Sequence, residues 1–410
     1  MTATAPVRIA LIGTRGYGKT HLQNLERLTA AGLAELIGVV DIAEPLEQLR
    51  GIWHRDLAAL LAAHAQAPPE VVIIATPIDT HVPLARQALA AGCHVYLEKP
   101  PVPALEDHWS LLEAAEAADR AVQVGFQARG GAGVDALREQ LRSGALGPVE
   151  SVRVHGAWTR DRAYYQRSPW AGRRRLEGRR VADGVATNPL AHGVHAGLVI
   201  AGIDRIEDIA AITTELRRAH DIEADDTTFL RIDPAGPGPA VLCALTTTAP
   251  VQRPPWVEIS GPGGTWRLSY TEDLSWRTGP DGELTEHRHS RTDLVENLLT
   301  HVRDPQTALL SPLEASGAFS AVLEAIQSAP DPTVIDPEHV TWIGEGQAAH
   351  PVVDDIGDAL HTALETGTAF SRNGVSWACA DAITTWRPPG ANQTPTARAD
   401  GRGATQKETA

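Results

Sequence analysis

Lysine is what this 410-residue chain has least of among its charged residues. It has three, Lys19, Lys99 and Lys407, and arginine supplies the other 33 of its 36 basic residues. Cysteine is as sparse. Cys93, Cys243 and Cys379 are widely spaced and odd in number, which argues against a disulfide framework and fits a reducing cytosol. Apolar runs of about 18 residues are missing, so no membrane-spanning helix is expected. The opening "MTATAPVRIALIG" has no basic stretch before an apolar one, so no signal peptide is expected and the expected location is cytoplasmic. A basic face is also missing. With a net charge of −15 the chain is a poor candidate for a nucleic-acid partner. Its densest basic run, "RRRLEGRR" (173–180), reads as a phosphate- or carboxylate-binding loop or, more plainly, a solvated one.

What is present points to two domains, because the chain is too long for one ordinary core. Residues 7–128 alternate strand-like and helix-like segments. "VRIALIG" (7–13), "AELIGVVD" (34–41), "EVVIIATP" (70–77), "HVYLE" (94–98) and "AVQVGF" (121–126) read as buried strands. Helical patterns lie between them at 19–33, 55–65, 80–92 and 105–119. Such alternation implies a parallel sheet with helices on both faces. Past a helix at about 132–143 the pattern changes. "GPVESVRVHGAW" (147–158) and the segments from about 206 to 278 look like strands of an antiparallel sheet separated by Gly/Pro turns, and helical segments return at 292–303 and 312–328. The fold class is therefore α/β: a Rossmann-type domain over 1–128, then an α+β domain over 129–334. A partly helical extension follows over 335–386. The tail, 387–410, has no Leu, Ile, Val, Met, Phe, Tyr or Trp, and is expected to be disordered.

"GTRGYG" (13–18) follows the first strand and opens the first helix, where glycines let a pyrophosphate approach the helix N-terminus. Gly13, Arg15, Gly16, Tyr17 and Gly18 are the candidate phosphate-binding residues, with arginine where the fingerprint has its middle glycine. Asp41, at the end of the second strand, is placed to bind the adenine ribose hydroxyls, which favours NAD over NADP; Arg15 keeps NADP open.

Three segments, "GTRGYGKTHL" (13–22), "VVIIATPIDTHVPLARQALAAGCHVYLEKPP" (71–101) and "AVQVGFQAR" (121–129), resemble the Gfo/Idh/MocA family of nicotinamide-dependent oxidoreductases. The resemblance is close over about 1–130 and looser to about 330. It implies an α/β nucleotide-binding domain and a second domain with a large, mostly antiparallel open sheet. The active site would lie between them, and a homo-oligomer would form through the sheet. It also implies that Thr76, Pro77, His81 and Glu98 line the nicotinamide ribose and that Gln127 reaches the nicotinamide or the substrate.

Lys99 leaves the carboxyl end of a parallel strand, where ligands bind in open α/β sheets, and Pro100 and Pro101 restrict the backbone after it. An ammonium there can hold a substrate hydroxyl and stabilise charge as its proton leaves. The bland alternative is a structural Glu98–Lys99 ion pair or a surface lysine. In "NPLAHGVH" (188–195) His192 falls at the family's histidine, whereas Asn188 and His195 stand where acidic residues often do. Without a carboxylate, His192 is expected to be a weaker base with a pKa nearer the free value, unless Asp183 compensates. A His-x-x-His metal reading lacks a third ligand, so no metal is expected. "GAWTRDRAYYQRSPWAGR" (156–173) is rich in Trp, Tyr and Arg, and Trp158, Arg160, Tyr165, Trp170 and Arg173 are candidate substrate contacts together with Asn188 and His195. Lys99 and His192 are the candidate catalytic pair for hydride transfer between a sugar, cyclitol or related polyol and NAD. The alternatives are a non-catalytic nucleotide-binding regulator and a redox-neutral sugar lyase or glycosidase that uses bound NAD.

Overall fold

In the computed structural model, which describes residues 5–378 and 382–389, two sheets share the chain. The first is built from β1 (Val7–Ile12), β2 (Ala34–Val40), β3 (Trp53–His54), β4 (Val71–Ile74), β5 (His94–Leu97) and β6 (Val122–Val124). All pairings are parallel, in the order β3-β2-β1-β4-β5-β6. Continuous apolar runs such as Val71–Ile74 suit strands covered on both faces. The helices α1 (Gly18–Ala30), α2 (Leu57–Ala63), α3 (His81–Ala90) and α4 (Leu105–Ala118) cover it. Strand order reverses between β1 and β4, so the ligand crevice opens at the carboxyl ends of those two strands, where Gly13 and Thr76 stand.

The second sheet has ten strands and is mostly antiparallel. Ser151–Ala157 lies near its centre, between Trp256–Gly261 (antiparallel) and Ala240–Thr246 (parallel). On one face Val152, Val154, Val241, Cys243 and Leu245 join a core with the helix Ala191–Ala201. That helix is apolar almost all round and buried along most of its length, as a helix between two layers must be.

Two segments depart from the expected division. The helix Leu294–Arg303 returns to the first sheet, where Leu294, Val295 and Leu298 pack with Val7, Ile9, Leu11 and Tyr96. Within 335–386, only Ile356–Thr366 of the helical-looking stretch 352–367 is helix; His350–Val353 is a strand. This helix, with Phe370 and Trp377, covers the other face of the second sheet over Phe229, Leu242 and Ala244. Ile383–Trp386 then pairs with the strand Ile209–Arg218. The expected disordered tail lies, from residue 390 on, outside the described residues, as do Cys379 and Lys407. Among the described residues no helix is long and apolar enough to cross a membrane.

Candidate active site

The nucleotide half of the site follows from consecutive strand ends. At Gly13 (φ +87°) a Cβ would lie 2.6 Å from the Ala75 carbonyl oxygen, and at Gly18 one would lie 2.0 Å from the Gly13 carbonyl oxygen. Only glycine closes this turn. Gly16 (φ +53°) faces open space, as a backbone that must admit a pyrophosphate should. Arg15 does not crowd it: its Nη2 donates to the Glu44 carbonyl at 3.0 Å. Tyr17 is 49% exposed and sets its ring edge-on to His21. Asp41 accepts from the Thr14 amide (3.0 Å), the Thr14 hydroxyl (2.7 Å) and the Ala43 amide (3.0 Å). Partial burial pushes its carboxyl up, but these hydrogen bonds and the Arg15 charge outweigh it, and the pKa lies below its ordinary value. A charged carboxylate at this strand end fits NAD.

The loops after β4 and β5 are tied together by His81. Its ring nitrogens lie 2.9 Å from the Thr76 carbonyl and 3.0 Å from the Pro100 carbonyl, and the residue is 1% exposed. The ring of His81, expected to line the nicotinamide ribose, lies here between two ligand-facing loops, where the neutral imidazole donates to one of the two carbonyls and packs against the other. Thr76 is half-buried and pairs its hydroxyl with Thr80 (2.6 Å); Pro77 is exposed. Glu98 is buried and makes no side-chain pair with Lys99. Its carboxylate meets His21 Nε2 at 2.8 Å and accepts from Gln127 Nε2 at 3.2 Å. Both residues follow the end of β5, and their side chains take different partners: Glu98 stays with the first domain and Lys99 reaches Asn188. His21 was not singled out in the sequence. Its signal is its place on the buried stripe of α1 with Gly18, Leu25 and Leu28.

Lys99, whose bond to Pro100 is cis, crosses to the second domain. Its Nζ donates to Asn188 Oδ1 (2.6 Å) and to the Asn188 carbonyl (3.1 Å). Asn188 Nδ2 in turn donates to Asp183 Oδ1. Asp183 is 3% exposed and is also held by Arg167 Nη2 (3.0 and 3.1 Å) and the Gly172 amide (2.7 Å). Burial lowers the pKa of Lys99, and the Glu98 and Asp183 carboxylates oppose that shift. His192, half-buried on the same helix as His195, has an Nδ1 with no partner. Its pKa is not near the free value, as expected, but well below it: burial is the main cause, and the Lys99 charge adds to it.

Several candidate substrate contacts stand elsewhere. His195 is 1% exposed and stacks on Phe126 with centroids 3.9 Å apart, so it is a core histidine and not a ligand contact. Tyr165, whose hydroxyl bonds Thr247 (3.0 Å), and Arg173, paired with Glu223 (3.1 Å), line a cleft of 1090 Å³ that does not include Lys99 or His192. Arg160 is stacked on Trp158 (4.6 Å) and Tyr164 (4.8 Å), and Trp170 carries the Arg167 guanidinium at 4.6 Å. The aromatic residues of this segment thus seat its arginines. The basic run 173–180 is partly exposed, at Arg173, Arg175 and Arg179, and partly engaged with the rest of the chain. Arg174 caps the end of the helix Gly317–Ser328 through the carbonyls of Ile326, Gln327 and Ala329 (3.0, 3.0 and 2.7 Å). Arg180 pairs with Glu324 (2.5 Å), and Arg179 reaches Asp79 of the first domain (3.1 Å).

Strand order and glycine turn together define a dinucleotide-binding α/β protein. Residues 7–126 match the family described as "Oxidoreductase family, NAD-binding Rossmann fold" (GFO_IDH_MocA), so this part of the chain is similar to an NAD-binding Rossmann domain of that family. The chain is 31% identical over 153 residues to inositol 2-dehydrogenase 3 of Saccharopolyspora erythraea, which covers 36% of this chain and 45% of that protein. It is also 31% identical over 153 residues to D-glucoside 3-dehydrogenase of Escherichia coli, covering 36% and 42%. The chain thus spans less than half the length of these curated relatives. Its fold is similar to that of an inositol dehydrogenase homolog complexed with NAD+ from Azotobacter vinelandii, with a TM-score of 0.64 and 18% identity, over 79% of this chain and 95% of that one.

Proposed function

We propose that the protein transfers hydride between a secondary alcohol of a sugar, cyclitol or related polyol and NAD. The observation that carries this reading is the meeting of Lys99, from the loop after β5, with Asn188, just ahead of the helix whose His192 feels the Lys99 charge. NAD, when bound, supplies the carbon that takes the hydride. Lys99 orients the substrate hydroxyl and stabilises the oxygen as its proton departs. His192, held neutral by burial and by the adjacent ammonium, accepts that proton. Loss of the hydride and the proton leaves a ketone, and the reverse reaction reduces one. The names of the relatives, an inositol and a glucoside dehydrogenase, support the substrate class. For assembly as a homo-oligomer, the surface left for a second copy on the self-covered face of the second sheet is the stretch around Trp256 and Trp276, because residues 356–378 cover the centre.

The test is reduced-nicotinamide absorbance with NAD and NADP offered against a panel of sugars, cyclitols and sugar acids, with wild type and Lys99→Met side by side. Lysine-dependent NADH formation with any member supports the reading and names the substrate class. A silent panel from protein that still binds NAD tightly overturns it in favour of redox-neutral use of the cofactor or a nucleotide-binding regulator.

A further inference from the structure

Lys99 is gripped by a residue that carries no charge. With Asn188 Oδ1 on the ammonium, the other end of the amide, Nδ2, must face Asp183. The opposite orientation would set two donors against each other at Lys99 and two acceptors at Asp183, so a single orientation satisfies both ends. Beyond Asp183 stands Arg167, clamped between the rings of Tyr164 (3.8 Å) and Trp170 (4.6 Å). The four side chains form one directed chain, Lys99 to Asn188 to Asp183, closed by Arg167 donating back to Asp183. An amide cannot take up or release a proton at these pH values, so Asn188 transmits geometry and field but no proton.

We propose that Asp183, acting through the Asn188 amide and anchored by Arg167, is a positioning residue that sets where the Lys99 ammonium stands and how readily it gives up its proton. This rests on the reading of Lys99 as the group that meets the substrate. It also assigns a purpose to the missing acid at position 188: a carboxylate is kept one side chain further from the cleft, on Asp183, where burial raises its pKa and Arg167 and the hydrogen bonds from Asn188 and Gly172 oppose that rise. Burial, the largest influence on Lys99, lowers its pKa, and the two carboxylates act against it. Glu98 and Asp183 favour the ammonium, Arg167 and burial oppose it, and His192 feels the same ammonium. Tyr164 and Tyr165, which also face Asp183, have pKa values raised chiefly by burial and stay neutral. Glu98 is already committed to His21, so Asp183 is the carboxylate that reaches Lys99 through a side-chain bridge.

The scarcity of lysine makes this directly measurable. With three lysines in the whole chain, 13C-lysine labelling yields three side-chain ε signals, and Lys99→Met identifies the relevant one. A pH titration by NMR reads its midpoint in the intact protein with no substrate. Asp183→Asn is expected to lower the Lys99 midpoint by about one pH unit, and Asn188→Asp to raise it by about as much. Arg167→Gln is expected to raise it less. A midpoint unchanged in Asp183→Asn, with the amide fingerprint still native, overturns the proposal. If Asp183→Asn does not fold, the half-buried Asn188 and the Arg167 side chain decide: no shift in either variant overturns it equally. Because no turnover is needed, shifted midpoints beside a silent substrate panel would keep this linkage while removing the dehydrogenase reading, and the converse would do the opposite.

Discussion

The two halves of the cleft are built by different means. In the nucleotide half, Gly13, Asp41, Thr76 and Glu98 each sit at or just past the end of a parallel strand, so local chain order places them. In the facing half, Arg167, Asp183 and Asn188 lie along an irregular stretch whose only regular pieces before Ala191 are one turn of helix and a hairpin of two two-residue strands, and His192 stands in the first turn of the helix that follows. Their positions come from side-chain bonds and stacked rings. The first half is a set of nearly independent placements; the second is a network in which each member holds the next.

The comparison can be broken most sharply at its seam. Lys99→Met is expected to cut turnover on the order of a thousandfold while NAD binding, followed by fluorescence titration, stays intact. Retained turnover would mean that the two halves do not meet in the chemistry. Next in size is the cap on the second sheet. Phe370 is fully buried, and Phe370→Ala is expected to cost about 3–5 kcal/mol in urea unfolding. A loss below about 1 kcal/mol would detach residues 356–378 from that domain's core.

In the first half, Gly13→Ala drives a Cβ to 2.6 Å from the Ala75 carbonyl. We expect about 2 kcal/mol of lost stability and weakened NAD binding, since backbone must move. Unchanged binding in a titration would refute the tight turn. A last effect is spread over both domains. Burial depresses His94, His108 and His155 to about 4 from an ordinary 6.5. The unfolded chain takes up these protons near 6.5 and the folded chain only near 4, so in between the unfolded state binds more. Stability is therefore full above 6.5 and falls as the pH drops toward 4. Urea melts at about pH 7 and about pH 5 should differ in that direction, and His108→Gln should reduce the difference.

Legibility followed the same division. The strands and helices of the first domain were readable because buried parallel strands are short apolar runs and their helices carry a regular stripe. β3, two residues long, has no such signature. In the second half Lys99's partner stretch, 188–195, was found, but His195 was misread. Helical spacing puts Asn188, His192 and His195 on one face, yet only packing reveals that this face runs from cleft to core, with Phe126 closing over His195. Tyr165 and Arg173 count as substrate contacts in the sequence because 156–173 is rich in Trp, Tyr and Arg. The chain turns between them and Asn188, and they line a different cavity.

What the sequence determined by itself was the fold class, the nucleotide-binding turn and the lysine worth watching. These depend on periodicity and on residues that only one backbone shape accepts, and both act over a few neighbours. Only the tertiary structure decided that His81 braces loops, that the basic run straps the chain to itself, and that Asp183 stands behind Asn188. Each of those rests on contacts between residues far apart in the chain or on the direction of a side chain. Hydrogen-bond geometry and burial settle such contacts; spacing along the sequence does not.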